Sequence, residues 1–112
     1  MRTARAYGCP VEFALDVLGG KWKPVILARL KDAPLRYGEL GRLIPGLSDK
    51  MLTQRLRDLE DAGLIVQEDG GEGVRRYALS ARGETLRPLL QSLHDWGRAS
   101  AASFDVGFGD DI

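Results

Sequence analysis

The run "LGRLIPGLSDKMLTQRLRDLEDAGLIV", residues 40–66, constrains this chain most, because it contains a helix stop, a helix start, a second stop and a strand start in close succession. Pro45-Gly46 ends any helix that precedes it. Ser48 can then accept a bond from a first-turn amide, Asp49 suits the positive end of a helix dipole, and Leu47 is placed to staple against the first turn. Gly63 suits the left-handed residue that closes a helix, and Leu64-Ile65-Val66 follows at once as the start of a strand. Between these ends, Leu52, Leu56 and Leu59 recur at i, i+4 and i+7, a narrow apolar stripe that must face a core. The opposite side carries Lys50, Gln54, Arg57 and Asp61, with Thr53 beside them. On an arbitrary amphipathic helix such a face is simply solvated, so its meaning depends on its neighbours.

Those neighbours are short elements. Cys9-Pro10-Val11-Glu12 opens a first helix, with Val11, Phe13, Ala14, Val17 and Leu18 apolar and Gly19-Gly20 as its stop. A second helix is expected from about Trp22 to Lys31, apolar round much of its circumference and therefore buried, with Pro24 tolerated in its first turn. After a turn and a short extended piece, a third helix runs from about Tyr37 to Ile44 and buries Leu40, Leu43 and Ile44. Two short helices about a tight, glycine-containing turn make a helix-turn-helix, whose second helix is the reader. Leu64 to Glu68 and Val74 to Leu79 are strand candidates around the acidic loop "DGGEG"; Leu64 and Val66 alternate with Ile65, and Tyr77 and Leu79 with Arg76 and Ala78, so one face of the hairpin is expected to be covered. Ser80 should cap one last long helix from Ala81 to about Ala102, kinked or loosened by Pro88, with an apolar stripe of Leu86, Leu89, Leu90, Leu93 and Trp96. The fold expected is mainly α (α+β): a winged helix-turn-helix with a two-stranded β-hairpin as its wing. Residues 1–8 are expected as a flexible arm, 9–102 as the folded domain, and 103–112 as a flexible acidic tail.

At 112 residues the chain is of one-domain length. No apolar run approaches the roughly 20 residues of a membrane span, and Met1 to Gly8 has no apolar stretch behind it of the kind a secretory signal needs. A single cysteine cannot form an internal disulfide, so a reducing cytoplasm is the expected compartment. Sixteen basic residues balance sixteen acidic ones, so the overall field will not steer the chain to nucleic acid. Residues 1–47 nevertheless hold eight bases (Arg2, Arg5, Lys21, Lys23, Arg29, Lys31, Arg36, Arg42) against four acids (Glu12, Asp16, Asp32, Glu39), leaving the remainder net acidic. A DNA binder with this balance must gather its bases on one face. No nucleophile with a base, no phosphate-cradling glycine loop and no paired-carboxylate signature is present, and His94, the only histidine, has no metal-spaced partners, so no enzyme, cofactor or metal is expected.

Three stretches, "CPVEFALDVLGGKW" (9–22), "RYGELGRLIPGLSDKMLTQRLRDLEDAGLI" (36–65) and "YALSARG" (77–83), resemble the HxlR-type winged-helix transcription regulators of bacteria and archaea. The resemblance spans about Cys9 to Gly97. It implies a small homodimeric DNA-binding regulator without enzymatic activity, whose dimer is built from the first and last helices. Here that would involve Val11, Phe13, Leu86, Leu89, Leu90, Leu93 and Trp96. It also implies that Cys9 is a candidate sensor of oxidants or electrophiles, as the corresponding cysteine is in some members; without a second cysteine, a switch would need a disulfide between subunits or a small-thiol adduct. The acidic wing tip departs from a strongly DNA-contacting wing.

In this setting the polar face of the capped helix reads as a DNA-reading surface. A helix fits the major groove, Lys and Arg can bond guanine, and Gln can bond adenine in bidentate fashion. Lys50, Thr53, Gln54 and Arg57 are the expected readers, with Ser48 placed near a phosphate. Arg55 lies at the edge of the stripe, where packing or ion pairing is as good a reading, and Asp58, Glu60 and Asp61 must lie where the helix leaves the groove. Arg36 and Tyr37 suit a phosphate clamp, Arg75 and Arg76 could reach phosphate or minor groove from the wing, and Lys21 and Lys23 are weaker backbone candidates. Trp22 and Trp96 fit a core or a dimer interface, although a gap between subunits could hold a small ligand. Two rival functions remain at this level: a winged helix used as a protein-binding module, and a small-molecule-binding dimer that does not bind DNA.

Overall fold

The computed structural model describes residues 6–108. Helix α1 (Pro10–Leu18) starts at Pro10, whose missing amide proton is no loss in a first turn, and Glu12 turns back to accept a bond from the Gly8 amide at 2.6 Å. Gly19 and Gly20 end it, both at positive φ. Helix α2 (Trp22–Asp32) is the central pillar, with Ile26, Leu27 and Leu30 buried. Helices α3 (Tyr37–Leu43) and α4 (Asp49–Asp61) form the expected pair, turned by Gly46 at φ +89°. Leu52, Leu56 and Leu59 of α4 are 0–1% exposed. Burial of a leucine side chain contributes about 2 kcal/mol, so these three together fix which face of α4 is turned outward.

Strands β1 (Ile65–Asp69) and β2 (Arg75–Leu79) pair antiparallel, Ile65 opposite Leu79 and Asp69 opposite Arg75. The covered face is the one that carries Ile65, Tyr77 and Leu79. Ile65 is buried with its partner Leu79 packed on the core, while Val66 is 44% exposed. Leu64 is buried for a separate reason: it precedes the strand, with its amide held by the Leu59 carbonyl and its own carbonyl by the Ser80 amide, both at 3.0 Å. An unforeseen pairing joins Leu35 to Tyr77, each donating to the other's carbonyl at 3.0 and 2.8 Å, so the extended piece before α3 adds a third edge to the wing.

The last helix is not one run. A single turn, α5 (Ala81–Glu84), capped by Ser80, is separated by Thr85 and Leu86 from α6 (Arg87–Ser100). Pro88 is the cause: its ring clashes with the carbonyl four residues earlier, that of Glu84, and no amide can bond it, so the helix ends there and restarts with Pro88 in its first turn. Helix α6 packs along α2, then passes into a 3-10 turn, Ala101–Phe104. Phe104 lies against Trp96 with ring centroids 6.3 Å apart, and Arg98 lies 5.8 Å from the Phe108 ring. Part of the expected arm and tail, residues 1–5 and 109–112, lies outside the described residues. Tyr7, within the arm, meets Phe13 edge-on at 5.3 Å and donates to Asp16 at 2.5 Å. Among the described residues, no helix is long and apolar enough to cross a membrane.

Candidate nucleic-acid interface

Helix α4 begins as its residues dictate. The Ser48 hydroxyl oxygen accepts the Met51 amide at 3.1 Å, while the amides of Asp49 and Lys50 fall in the first turn, where no intrahelical carbonyl is available to them. With the leucine stripe inward, Lys50, Gln54, Arg57 and Asp61 are all exposed on the far side, and Thr53 is half-buried beside them. The Gln54 amide donates to Asp58 Oδ1 at 2.9 Å, and Arg55 donates to Asp58 Oδ2 at 2.7 Å. Asp58 is thus occupied on both oxygens, and Arg55 takes the ion-pairing role. Glu60 accepts the Gln67 amide from β1 at 3.0 Å, which ties the far end of α4 to the wing.

The other end of α4 is tied to α3. The Tyr37 hydroxyl donates to the Asp49 carbonyl at 2.9 Å and lies 2.9 Å from Thr53 Oγ1. Sequence reasoning placed Tyr37 in a phosphate clamp, yet here its polar atom is engaged within the protein. Arg36, next to it, is half-exposed; its amide donates to Glu39 Oε1 at 2.8 Å and its Nε lies 3.4 Å from the same oxygen. The Arg36 amide, first, and then its side chain and the field of Arg76 hold the Glu39 carboxyl below its ordinary value.

That Arg76 acts on Glu39 reflects an arrangement the sequence does not display. Because Leu35 pairs antiparallel with Tyr77, the backbones of Arg36 and Arg76, forty positions apart in sequence, run on adjacent chains at the seam between α3 and the wing. Each of the two has an acid beside it: Arg36 Nε lies 3.4 Å from Glu39, and Arg76 stands opposite Glu68 in the wing. The pKa of the Tyr77 hydroxyl is raised chiefly by burial, and then by Glu60 and Tyr37, with Arg57 opposing them. The wing tip contributes less. Its register sets Arg75 opposite Asp69 and Arg76 opposite Glu68, and the Arg76 stem lies across Gly70, where a Cβ would meet it at 3.0 Å.

Farther away, Lys21 Nζ lies 4.3 Å over the ring of Trp22, which packs against the core. Cys9 is exposed at the cap of α1. Of the residues expected at a dimer surface, Val11, Phe13, Leu89, Leu93 and Trp96 are exposed, by 41–66%. Leu90 is 2% exposed and belongs to the core of its own subunit, and Leu86 packs against that core. Leu15, 64% exposed one turn from Val11, joins the same apolar side of α1 and was missed, although the i, i+4 spacing was readable. His94 Nδ1 lies 3.3 Å from Asp95, and among the described residues no cluster of His, Cys, Asp and Glu could hold a metal ion.

Comparison with known proteins gives a consistent result. The family model described as HxlR-like helix-turn-helix matches residues 17–104. An uncharacterized HTH-type transcriptional regulator of Methanothermobacter thermautotrophicus is 44% identical over 94 residues, covering 82% of this chain and 72% of its own. The HTH-type regulator YybR of Bacillus subtilis is 38% identical, covering 83% and 76%. Among solved structures, the redox regulator HypR in its reduced form superposes with a TM-score of 0.78 at 34% identity, covering 87% of this chain and 98% of the other. Its oxidized form gives 0.75 at 38% identity, covering 81% and 96%.

Proposed function

Because the chain belongs to the HxlR-like helix-turn-helix family and is thereby a DNA-binding transcriptional regulator, we propose that it acts in the cytoplasm as a homodimer on a roughly palindromic operator, with residues 9–102 as the working domain. In this reading α4 enters the major groove. Lys50, Thr53, Gln54 and Arg57 face base edges, Ser48 and the first-turn amides meet a phosphate, and Arg36 and Arg76 grip the backbone on the flank. Arg75 reaches the duplex from the wing. The observation that carries the reading is the polar face of α4: the buried leucine stripe turns Lys50, Gln54 and Arg57 outward on the second helix of a helix-turn-helix.

Dimerisation is supported by the side of α6 turned from the core. Leu89, Leu93 and Trp96 are 41%, 50% and 66% exposed on one stripe, and the exposed Val11 and Leu15 of α1 offer a second. Two subunits joined through these helices would set their α4 helices one DNA turn, about 34 Å, apart. The test combines light scattering with a salt titration of duplex binding. A dimer and a steep fall of log K with log salt are expected. A monomer with a shallow slope would favour a protein-binding module instead.

The same reading gives Cys9 a regulatory role. The chain has one cysteine, exposed at the start of the α1 stripe, and HypR, a redox regulator, is its structural neighbour. Oxidation by diamide would join two Cys9 thiols across the dimer, or one Cys9 to a small thiol, the diamide taking up the two electrons and two protons released. A gel shift of Cys9→Ser before and after diamide tests this. The wild type should change its DNA affinity and the variant should not; an equal response in both would remove Cys9 from the mechanism.

A further inference from the structure

We infer that the Tyr37 hydroxyl fixes the hydrogen-bonding sense of Thr53, turning it into an acceptor-only contact that selects a base with an amino group in the major groove. The inference rests on α4 being the reader helix. Its basis is a proton count at one hydroxyl. Tyr37 lies 2.9 Å from both the Asp49 carbonyl and Thr53 Oγ1. The Asp49 carbonyl has no proton to give, so the phenol proton must go to it. Were that proton given to Thr53 instead, two oxygens carrying only lone pairs would face each other at 2.9 Å. Thr53 must then donate its single hydroxyl proton to the Tyr37 oxygen.

Thr53 Oγ1 is left with lone pairs alone for anything approaching from outside. A phosphate oxygen, guanine N7 or O6, and thymine O4 are also acceptors and would be repelled. Cytosine N4 and adenine N6 carry protons and would be bonded. A threonine on a groove-facing helix ordinarily serves either sense by rotating its hydroxyl, and here the tyrosine removes that freedom. Tyr37 is thus a positioning residue: it need not touch DNA, and it acts through the side chain that does.

The experiment uses the full chain as wild type, Tyr37→Phe, Thr53→Val, the double variant Tyr37→Phe/Thr53→Val and Thr53→Ser, each selected on a randomised duplex library and then measured by anisotropy on the enriched duplex with single base-pair changes. Melting curves verify that each variant is folded. The wild type is expected to prefer A or C over G or T on the contacted strand, at one symmetry-related pair of positions, by about five- to tenfold. Thr53→Ser keeps that preference. Tyr37→Phe and Thr53→Val each reduce it to under about twofold while leaving the other positions unchanged, and the double variant goes no further. A Tyr37→Phe profile identical to the wild type, or a loss equal at every position, would overturn the inference while leaving α4 as the reader. A wild type that enriches no motif would overturn both. If Tyr37→Phe proves unfolded, a Thr53→Val profile still matching the wild type overturns the inference by itself.

Discussion

Gly83→Ala should be among the most damaging single-methyl changes in this chain. Gly83 is buried within α5, and a Cβ built on it would fall under 3.0 Å from the Leu64 carbonyl oxygen, a separation real Cβ atoms do not adopt, and 3.4 Å from Leu79 Cβ. The obstacle is backbone, so the relief must come from moving α5. That element is held by the Ser80 amide on the Leu64 carbonyl at 3.0 Å, the Ser80 hydroxyl on the Gly63 carbonyl at 2.6 Å, and Arg82 on the Ala62 carbonyl at 3.0 Å. Losing these three bonds costs about 3 kcal/mol at roughly 1 kcal/mol each, and alanine's better helix propensity returns about 1 kcal/mol. With lost packing around Leu79, the net destabilisation should be about 2 to 3 kcal/mol, or a melting temperature lower by about 10 to 15 °C for a domain of this size. Urea titration followed by circular dichroism, at one fixed protein concentration because dimerisation contributes to stability, gives the number. Gly41→Ala is the control: it sits in α3 at ordinary φ with nothing within 4 Å of its added Cβ, and should stabilise by up to about 1 kcal/mol. A Gly83→Ala protein as stable as Gly41→Ala would refute the reasoning that α5 is wedged against the end of the reader helix.

Further outcomes follow from the interface. Gln54→Ala or Arg57→Ala should weaken binding to a selected site by about 1 to 3 kcal/mol, with little change on random duplex, if either side chain makes a bidentate base contact; equal losses on both DNAs would make them phosphate contacts. Arg36→Ala and Arg76→Ala should each weaken binding uniformly across sequences and flatten the salt dependence, by about 0.9 in log–log slope for every phosphate contact removed, as read from anisotropy at several salt concentrations. Glu39, held below its ordinary value of 4.5 chiefly by the Arg36 amide, gives the fold a contribution present above the unfolded-state value and lost as the pH falls through the depressed folded one. The stability gap between wild type and Glu39→Gln should therefore be constant near neutrality and close as the pH drops below about 4, in melts across that range. A gap that widens on acidification would contradict the assignment.

Much of the architecture could be read from local chemistry. Pro10 with Glu12, Gly46 between two short apolar repeats, and Ser48 through Gly63 are signals that act within one turn of the residue carrying them, and the elements stand where those signals put them. What escaped notice acts at a distance. Pro88 breaks the helix at Glu84, four residues before itself: the disturbance lies in the first half, as expected, but it is a full break and not a kink. The pairing of Leu35 with Tyr77 spans over forty residues and involves one residue on each side, too little to leave a pattern, yet it sets the backbones of Arg36 and Arg76 on adjacent chains. The Tyr37 hydroxyl is held by Asp49 and Thr53, partners twelve and sixteen residues on that no local signal names. Gly83 has an unremarkable helical φ, so nothing in the sequence distinguishes it from a replaceable glycine.

A hydroxyl-radical footprint of the wild-type protein on its selected duplex would test most directly whether two α4 helices of one dimer occupy successive major grooves. Two protected patches on the same face of the duplex, about one helical turn apart and related by a two-fold axis, are the expected result. A single patch the width of one subunit, or no protection at low salt, would contradict the account.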